Sequence, residues 1–499
     1  MTNIAYTDLE MRYRRIAILT ETASILHWDS ATIMPKGSAS ARAEQIAELK
    51  AITHALKSSP EVGELIVKAK ASAFNLNTWQ QANLNEMARQ WTKANAVPEE
   101  LVVALSKACS ACEIAWRNAR PEADYAAVKP LLQNVLDLTR DAAQVKGEAL
   151  DLSLYDALLD DYEPGCRNAD LEKIFQEINS FLPSFIDDAL VAQSTRPAPL
   201  MPEGPFPILL QENLGKYFMK ALGFDFNHGR LDVSLHPFCG GTPDDVRITT
   251  RYDEASFTSS LMGIFHETGH AMYERGLPTR WRYQPVGDTL GMGMHESQSL
   301  LIEMQVCRSR SFFHWAAPIL RETFKGQGPN WDPENLYRLH TRVKPDFIRV
   351  DADELTYPAH VILRYRLERA LLSKDLTLRD LPAAWNDLMK ELLGIVPPSD
   401  REGCLQDLHW YDGAWGYFPT YTLGAITAAQ LYTTACKTDP NIEVGIRKGN
   451  FVPLMSWLRT HVHNSARLMC NASELLTNIT GEPLNSEFFK DHLHERYLS

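Results

Sequence analysis

The chain has 499 residues, 45% of them hydrophobic and 23% charged, which is a globular composition long enough for a large core. Its net charge of −13 argues against a surface built to coat nucleic acid or an anionic membrane. Eight irregularly spaced cysteines read as reduced thiols of a cytoplasmic protein rather than a disulfide framework.

In chain order, "MTNIAYTDLEMRYRRIA" turns charged before an apolar leader can form, so no signal peptide is expected. No later run is long and apolar enough to predict a transmembrane helix. The first helix carries Thr7 and Glu10 in a Thr-x-x-Glu capping pattern, followed by Tyr13, Ile16, Leu19, Ala23 and Leu26 at helical spacing. "SARAEQIAELKAITHALKS", "PEELVVALSKACSACEIAWRNAR", "YAAVKPLLQNVLDLTRDAAQVKGEAL" and "NADLEKIFQEINSFLPSFIDDALVAQ" follow the same period, as does "NFVPLMSWLRTHVHNSARLM" near the end. Cys109 and Cys112 form a C-x-x-C. With no second such pair and no βαβ context, they read as two small apolar residues on one helix face. Asn471 and Asn478 match the glycosylation pattern only incidentally.

Residues 229–253 break the helical period. Their β-branched runs, separated by "GGTPDD", predict two short strands joined by a turn. Length alone suggests about three domains. The Pro-rich breaks are short, however, and no repeat is visible. The expectation is a mainly α protein, one helical domain over 1–499, with a small β-element beside the next helix.

That helix contains "FHETGHAM". His266 and His270 are four apart, so both imidazoles project from one helix face and reach one metal. Glu267, beside the first ligand, is placed to take a proton from an attacking water. A catalytic site needs a third protein ligand. Tyr273 and Gly276 stand where a metzincin would place Gly and His, which excludes that class. The third ligand must come from "MHESQSL", read as the start of a helix with an apolar stripe at Leu300, Leu301, Met304, Cys307 and Phe312. Charge and helix dipole favour Glu296, and His295 stays open.

The chain resembles the carboxypeptidase Taq family of zinc metallocarboxypeptidases. The resemblance rests on ordered blocks: "HPF" (His236–Phe238), "DVRIT" (Asp245–Thr249), "HETGH", "HESQ" (His295–Gln298), "IRVDADELTY" (Ile348–Tyr357) and "GCLQDLHW" (Gly403–Trp410). "LHWDSATIMPKGS", "YDALLDDYEPG" and "TGEPLNSEFF" extend it over nearly the whole chain. It implies a helical fold with a deep substrate groove and removal of single residues from peptide C-termini with broad specificity. It also implies a homodimer, zinc on His266, His270 and Glu296, and Glu267 as general base. Cobalt suits the same ligands.

The remaining blocks suggest roles. Arg349 is the candidate for the substrate α-carboxylate, which a planar guanidinium matches bidentately. Otherwise it pairs with Asp351 or Asp353 at the surface. Arg247 and the "QDLHW" block are placed to limit substrate length, unless Arg247 only pairs with Asp244 or Asp245. Tyr421 and His409 rank as donors to the tetrahedral intermediate. His236 ranks behind them and is grouped with the substrate-binding residues. Trp410, Tyr411, Trp415 and Tyr417 read as groove-wall packing. An endo-acting oligopeptidase and a non-catalytic helical binding protein are the competing readings.

Overall fold

A computed structural model describes residues 3–499. Among them, twenty α-helices and several short helical turns surround one three-stranded sheet. No helix is long and apolar enough to cross a membrane. The mainly α expectation holds.

The helices form where the periodicity places them, and their caps explain the small departures. The first helix, Ile4–Ala31, is capped by Asn3, whose side chain accepts from the Tyr6 N–H. Thr7 therefore lies inside the helix and is not its cap. Tyr125–Leu150 starts on Asp124 and buries Val128, Leu132, Val135, Leu136 and Thr139 as one stripe. The helix expected over 450–469 runs only from Val452 to His461. There the chain turns so that buried His463 meets the Gln298 side-chain oxygen at 3.1 Å.

Two large apolar clusters build the body. One gathers Tyr125–Leu150, Asn168–Ser194, Tyr357–Ser373 and Leu381–Leu393. The other gathers Phe257–Gly276, Arg310–Thr323 and Val452–His461. The helix Pro419–Thr438 serves both, giving Leu423, Ile426 and Ala429 to the first and Ala428, Leu431 and Ala435 to the second. A cavity of about 440 Å³ opens along this shared wall, lined by residues from both sides.

The β-element holds three strands, one more than the alternating pattern predicts: β1 (Gly229–Val233), β2 (Cys239–Thr242) and β3 (Asp245–Thr250). β3 is central, parallel to β1 and antiparallel to β2. β2 is "CGGT", whose two glycines hide it from a pattern based on β-branched residues. Val246 and Ile248 of β3 pack against Ile264 and Ala271 of the "HETGH" helix. That fixes the sheet beside the metal-ligand face.

Cys109 and Cys112 are buried free thiols, pushed up to about 11 and about 12 by burial. They behave as small core residues, as read. Asn471 is the N-cap of the helix Ala472–Thr480, accepting from the Glu474 N–H.

Candidate metal centre and substrate wall

His266 and His270 sit one turn apart on the helix Phe257–Gly276, whose other faces bury Leu261, Ile264, Phe265 and Ala271. A second helix, Met292–Leu300, crosses it at Gly269. A Cβ there would stand 2.3 Å from the Gln298 carbonyl oxygen. The helix Pro419–Thr438 closes from another side at Gly424, where a Cβ would stand 2.7 Å from Glu296 Cγ. Glycine inside a helix costs about 1 kcal/mol relative to alanine. At these two positions it lets neighbouring helices approach around Glu296.

Glu296 Oε2 consequently lies 3.5 Å from His270 Nε2 and 3.8 Å from His266 Nε2. The donor atoms of the three residues fall within 4.8 Å of one another. Ligand atoms around a tetrahedral ion at about 2 Å are themselves roughly 3.3 Å apart, so the triad fits a metal with little movement. Glu296, and not His295, presents the third donor toward both imidazoles.

The outer ring nitrogens are fixed as a metal site requires. His266 Nδ1–H donates to Glu303 Oε2 at 3.0 Å, and Glu303 is held by Arg308 at 2.6 Å. His270 Nδ1–H donates to the His295 carbonyl at 3.1 Å. His295 Nε2–H donates to Glu274 at 3.0 Å, leaving its Nδ1 lone pair 2.6 Å from His270 Nδ1. His295 thus fixes the His270 ring. With Nδ1 engaged in both rings, Nε2 of each faces Glu296.

Burial and the neighbouring charges set the two rings apart. Burial lowers His266, but Glu296 and Glu303 outweigh it and hold the ring up to about 10. His270 is driven well down by burial and by His295. Burial raises Glu267 to about 7, a value suited to proton transfer near neutral pH. Among the described residues, neither Glu267 nor Glu296 has a Lys or Arg partner.

Sequence places Glu303 with Glu296 and Ser299 on one polar helix face but assigns it no role, and it finds neither Arg308 nor the break that places them. The predicted single helix ends at Leu300 and continues as a π-helical turn, Leu301–Cys307. A π turn rotates the side chains that follow it. Here it accompanies the turn of Glu303 toward His266. The only sequence signal was a glutamate in an otherwise apolar stretch.

The cavity's other wall carries Arg349, which is 4% exposed. Its partner is neither Asp351 nor Asp353. Nε and Nη2 donate to Asp407 Oδ1 at 3.0 and 2.8 Å, and Nη1 donates to the Tyr357 hydroxyl. The Gln406 side chain accepts from the Arg349 backbone N–H at 2.9 Å. The "QDLHW" block thus braces the arginine. Arg364 also donates to Asp407, at 2.6 Å, so two guanidinium groups share one carboxylate. With the bonds above, Nη1 and Nη2 of Arg349 each retain an N–H for a further acceptor.

Tyr421 lines the same cavity, and its ring centroid lies 4.9 Å from the Arg349 guanidinium carbon. His409 stands behind it, Nε2 3.3 Å from the Tyr421 hydroxyl. Burial lowers His409 to about 4. Trp410, Tyr411 and Trp415 are buried in the core beneath this wall. The structure does not bring His236 or Arg247 into the cavity of the triad. His236 is exposed, and its neighbour Pro237 lines the cavity. Arg247 pairs with Asp245 and stacks on Trp28, 4.1 Å from the ring centroid. In the same block Thr249 clamps the "HPF" loop: its hydroxyl accepts from the Phe238 N–H at 3.0 Å.

A histidine pair on one helix and a carboxylate from the next, in one cavity with a buried arginine, make the arrangement of a metallopeptidase. The family model for Carboxypeptidase Taq (M32) metallopeptidase matches residues 8–497. The chain is 36% identical to thermostable carboxypeptidase 1 of Thermus thermophilus over 505 residues, 99% of this chain and 98% of that protein. It is 33% identical to carboxypeptidase 1 of Bacillus subtilis, covering 97% and 96% of the two chains. Metallocarboxypeptidase 1 of Trypanosoma cruzi superposes with a TM-score of 0.98 at 38% identity, over 100% of both chains. The chain belongs to the carboxypeptidase Taq (M32) family. It is a metallocarboxypeptidase, hydrolysing peptides from their C-terminal end.

Proposed function

We propose that His266, His270 and Glu296 hold a catalytic zinc ion, with cobalt as the alternative the same donors accept. The convergence of Nε2, Nε2 and Oε2 supports this most. When bound, the ion supplies Lewis acidity toward the scissile carbonyl and its attacking water. Glu267 takes the water proton on its carboxylate and returns it to the departing amine. Arg349 holds the substrate α-carboxylate on its free Nη1–H and Nη2–H, so that only the last peptide bond reaches the triad. The Tyr421 hydroxyl donates to the developing oxyanion, and His409 orients that hydroxyl. Arg247 and His236 limit the substrate from the sheet side of the groove.

Replacing Glu267 by Gln tests the scheme, with metal retained and turnover lost. Near-normal turnover in that variant overturns it. An amidated peptide should resist the enzyme, whereas an endo-acting oligopeptidase would cleave it.

We also propose that the whole chain works as one catalytic domain in a cytoplasmic homodimer. Support comes from the helix shared by both apolar clusters, the eight free cysteines and the family resemblance. Light scattering of the purified protein tests the dimer, and a single calorimetric transition tests the single domain.

A further inference from the structure

A second cavity, of about 620 Å³, shares no lining residue with the metal-side cavity of about 440 Å³. It nevertheless borders two of the same helices, through Gly293 and Met294 and through Leu423 and Thr427. Leu171, Ile174 and Leu476 give it apolar walls.

Glu163 lines this cavity and is only 5% exposed. One oxygen, Oε1, accepts from the Gly293 N–H in the first turn of the helix that carries Glu296. Among the described residues no donor meets Oε2. Away from the metal triad and Glu267, the other buried carboxylates are better satisfied. Glu354 has Arg496 and His492, and Glu368 has Tyr155, Trp410 and the Gly416 N–H. A buried carboxylate without a full set of partners is costly, and burial pushes Glu163 up to about 8. The lining also holds Asp170, Glu177 and Glu482 against Arg167 and Lys173, so carboxylates outnumber cations, and a net-acidic cavity with apolar walls calls for a cationic head on an apolar body.

We propose that this cavity binds a small primary ammonium compound with a branched aliphatic body, its N–H donors on Glu163 and its chain among Leu171, Ile174 and Leu476. Simple amines and free amino acids share this chemistry, and free amino acids are what the peptidase reaction releases. The site is separate from the metal triad, so its test does not depend on how catalysis is read.

The test is thermal shift and calorimetric titration of the metal-loaded enzyme with 3-methylbutylamine, L-leucine and 4-methylpentanoate. The amine should raise Tm and bind, and 4-methylpentanoate should do neither. Binding by leucine as well as the amine identifies amino acids as the source; binding by the amine alone identifies simple amines. Glu163→Gln should weaken amine binding at least about 10-fold, the loss expected for a charged hydrogen-bonded pair. Ala472 also lines the cavity, and Ala472→Phe fills it while leaving the Glu163 side chain unchanged. It should abolish amine binding while the peptidase rate without ligand stays within about twofold, as for a change outside the reacting groups. No amine binding to the wild type, or undiminished amine binding to Ala472→Phe, overturns the proposal.

Discussion

The two walls of the groove are unfinished in opposite senses. On the metal side, buried Glu267 and partly buried Glu296 have no Lys or Arg partner among the described residues, while Glu303 is already neutralised by Arg308. On the facing side, Arg349 and Arg364 share the single carboxylate of Asp407. One wall is short of positive charge and the other short of negative charge. Uncompensated buried charge is expensive, so each deficit matches a ligand of the proposed scheme: a divalent metal on one side and the α-carboxylate of a peptide on the other. On that proposal, exopeptidase action is a matter of spacing between two electrostatic vacancies held on one scaffold.

Breaking the metal side should have the largest effect. Glu267→Gln should lower kcat by about 10²–10⁴-fold, the range for loss of a general base, with metal content unchanged by elemental analysis. Breaking the arginine side should come next. Arg349→Gln should lower kcat/KM by about 30-fold to several thousand-fold, equivalent to about 2–5 kcal/mol for a buried charge pair, measured on peptides with a free C-terminus. The support of the metal side is worth less. Glu303→Gln should weaken metal affinity about 10–100-fold, and added metal should restore most of the activity. A variant that stays inactive at saturating metal would assign Glu303 a direct role in catalysis.

The smallest effect concerns the brace behind the arginine wall. Glu354 lies five residues after Arg349 and accepts from His492 at 2.9 Å and Arg496 at 2.7 Å on the C-terminal helix Glu487–Leu498. Burial alone would raise its carboxyl, but Arg496 and His492 outweigh that and hold it well below the usual range. A depressed carboxylate contributes stability above its unfolded pKa, and that contribution is lost as pH falls through the folded one. Thermal stability should therefore drop as pH goes below about 4.5, and Glu354→Gln should flatten that acid slope while lowering stability at pH 7. An unchanged slope in the variant would remove Glu354 from the account.

The sequence made one wall far more legible than the other. "HETGH" announces itself because two ligands at helical spacing require no tertiary knowledge. Glu296 was favoured there on charge, and the crossings at Gly269 and Gly424 bring it toward both imidazoles. The arginine wall is assembled from residues about sixty apart, Arg349 with Gln406 and Asp407, and no local pattern pairs them. Sequence proximity pointed instead to Asp351 and Asp353, which do not hold it. Likewise the strand "CGGT" and the π turn at Leu301–Cys307 are set by packing against the metal helix, and neither has a periodic signature. The blocks were legible as blocks; which block braces which required the fold.

The central claim is that the two vacancies act together, and one comparison tests it most directly. Hydrolysis of a peptide with a free C-terminus and of its amide should be measured for the wild type and for Arg349→Gln. The account predicts strong discrimination against the amide in the wild type and a ratio near one in the variant, because the positive vacancy that reads the carboxylate is gone. Equal cleavage of both peptides by the wild type, or full discrimination surviving in Arg349→Gln, would contradict it.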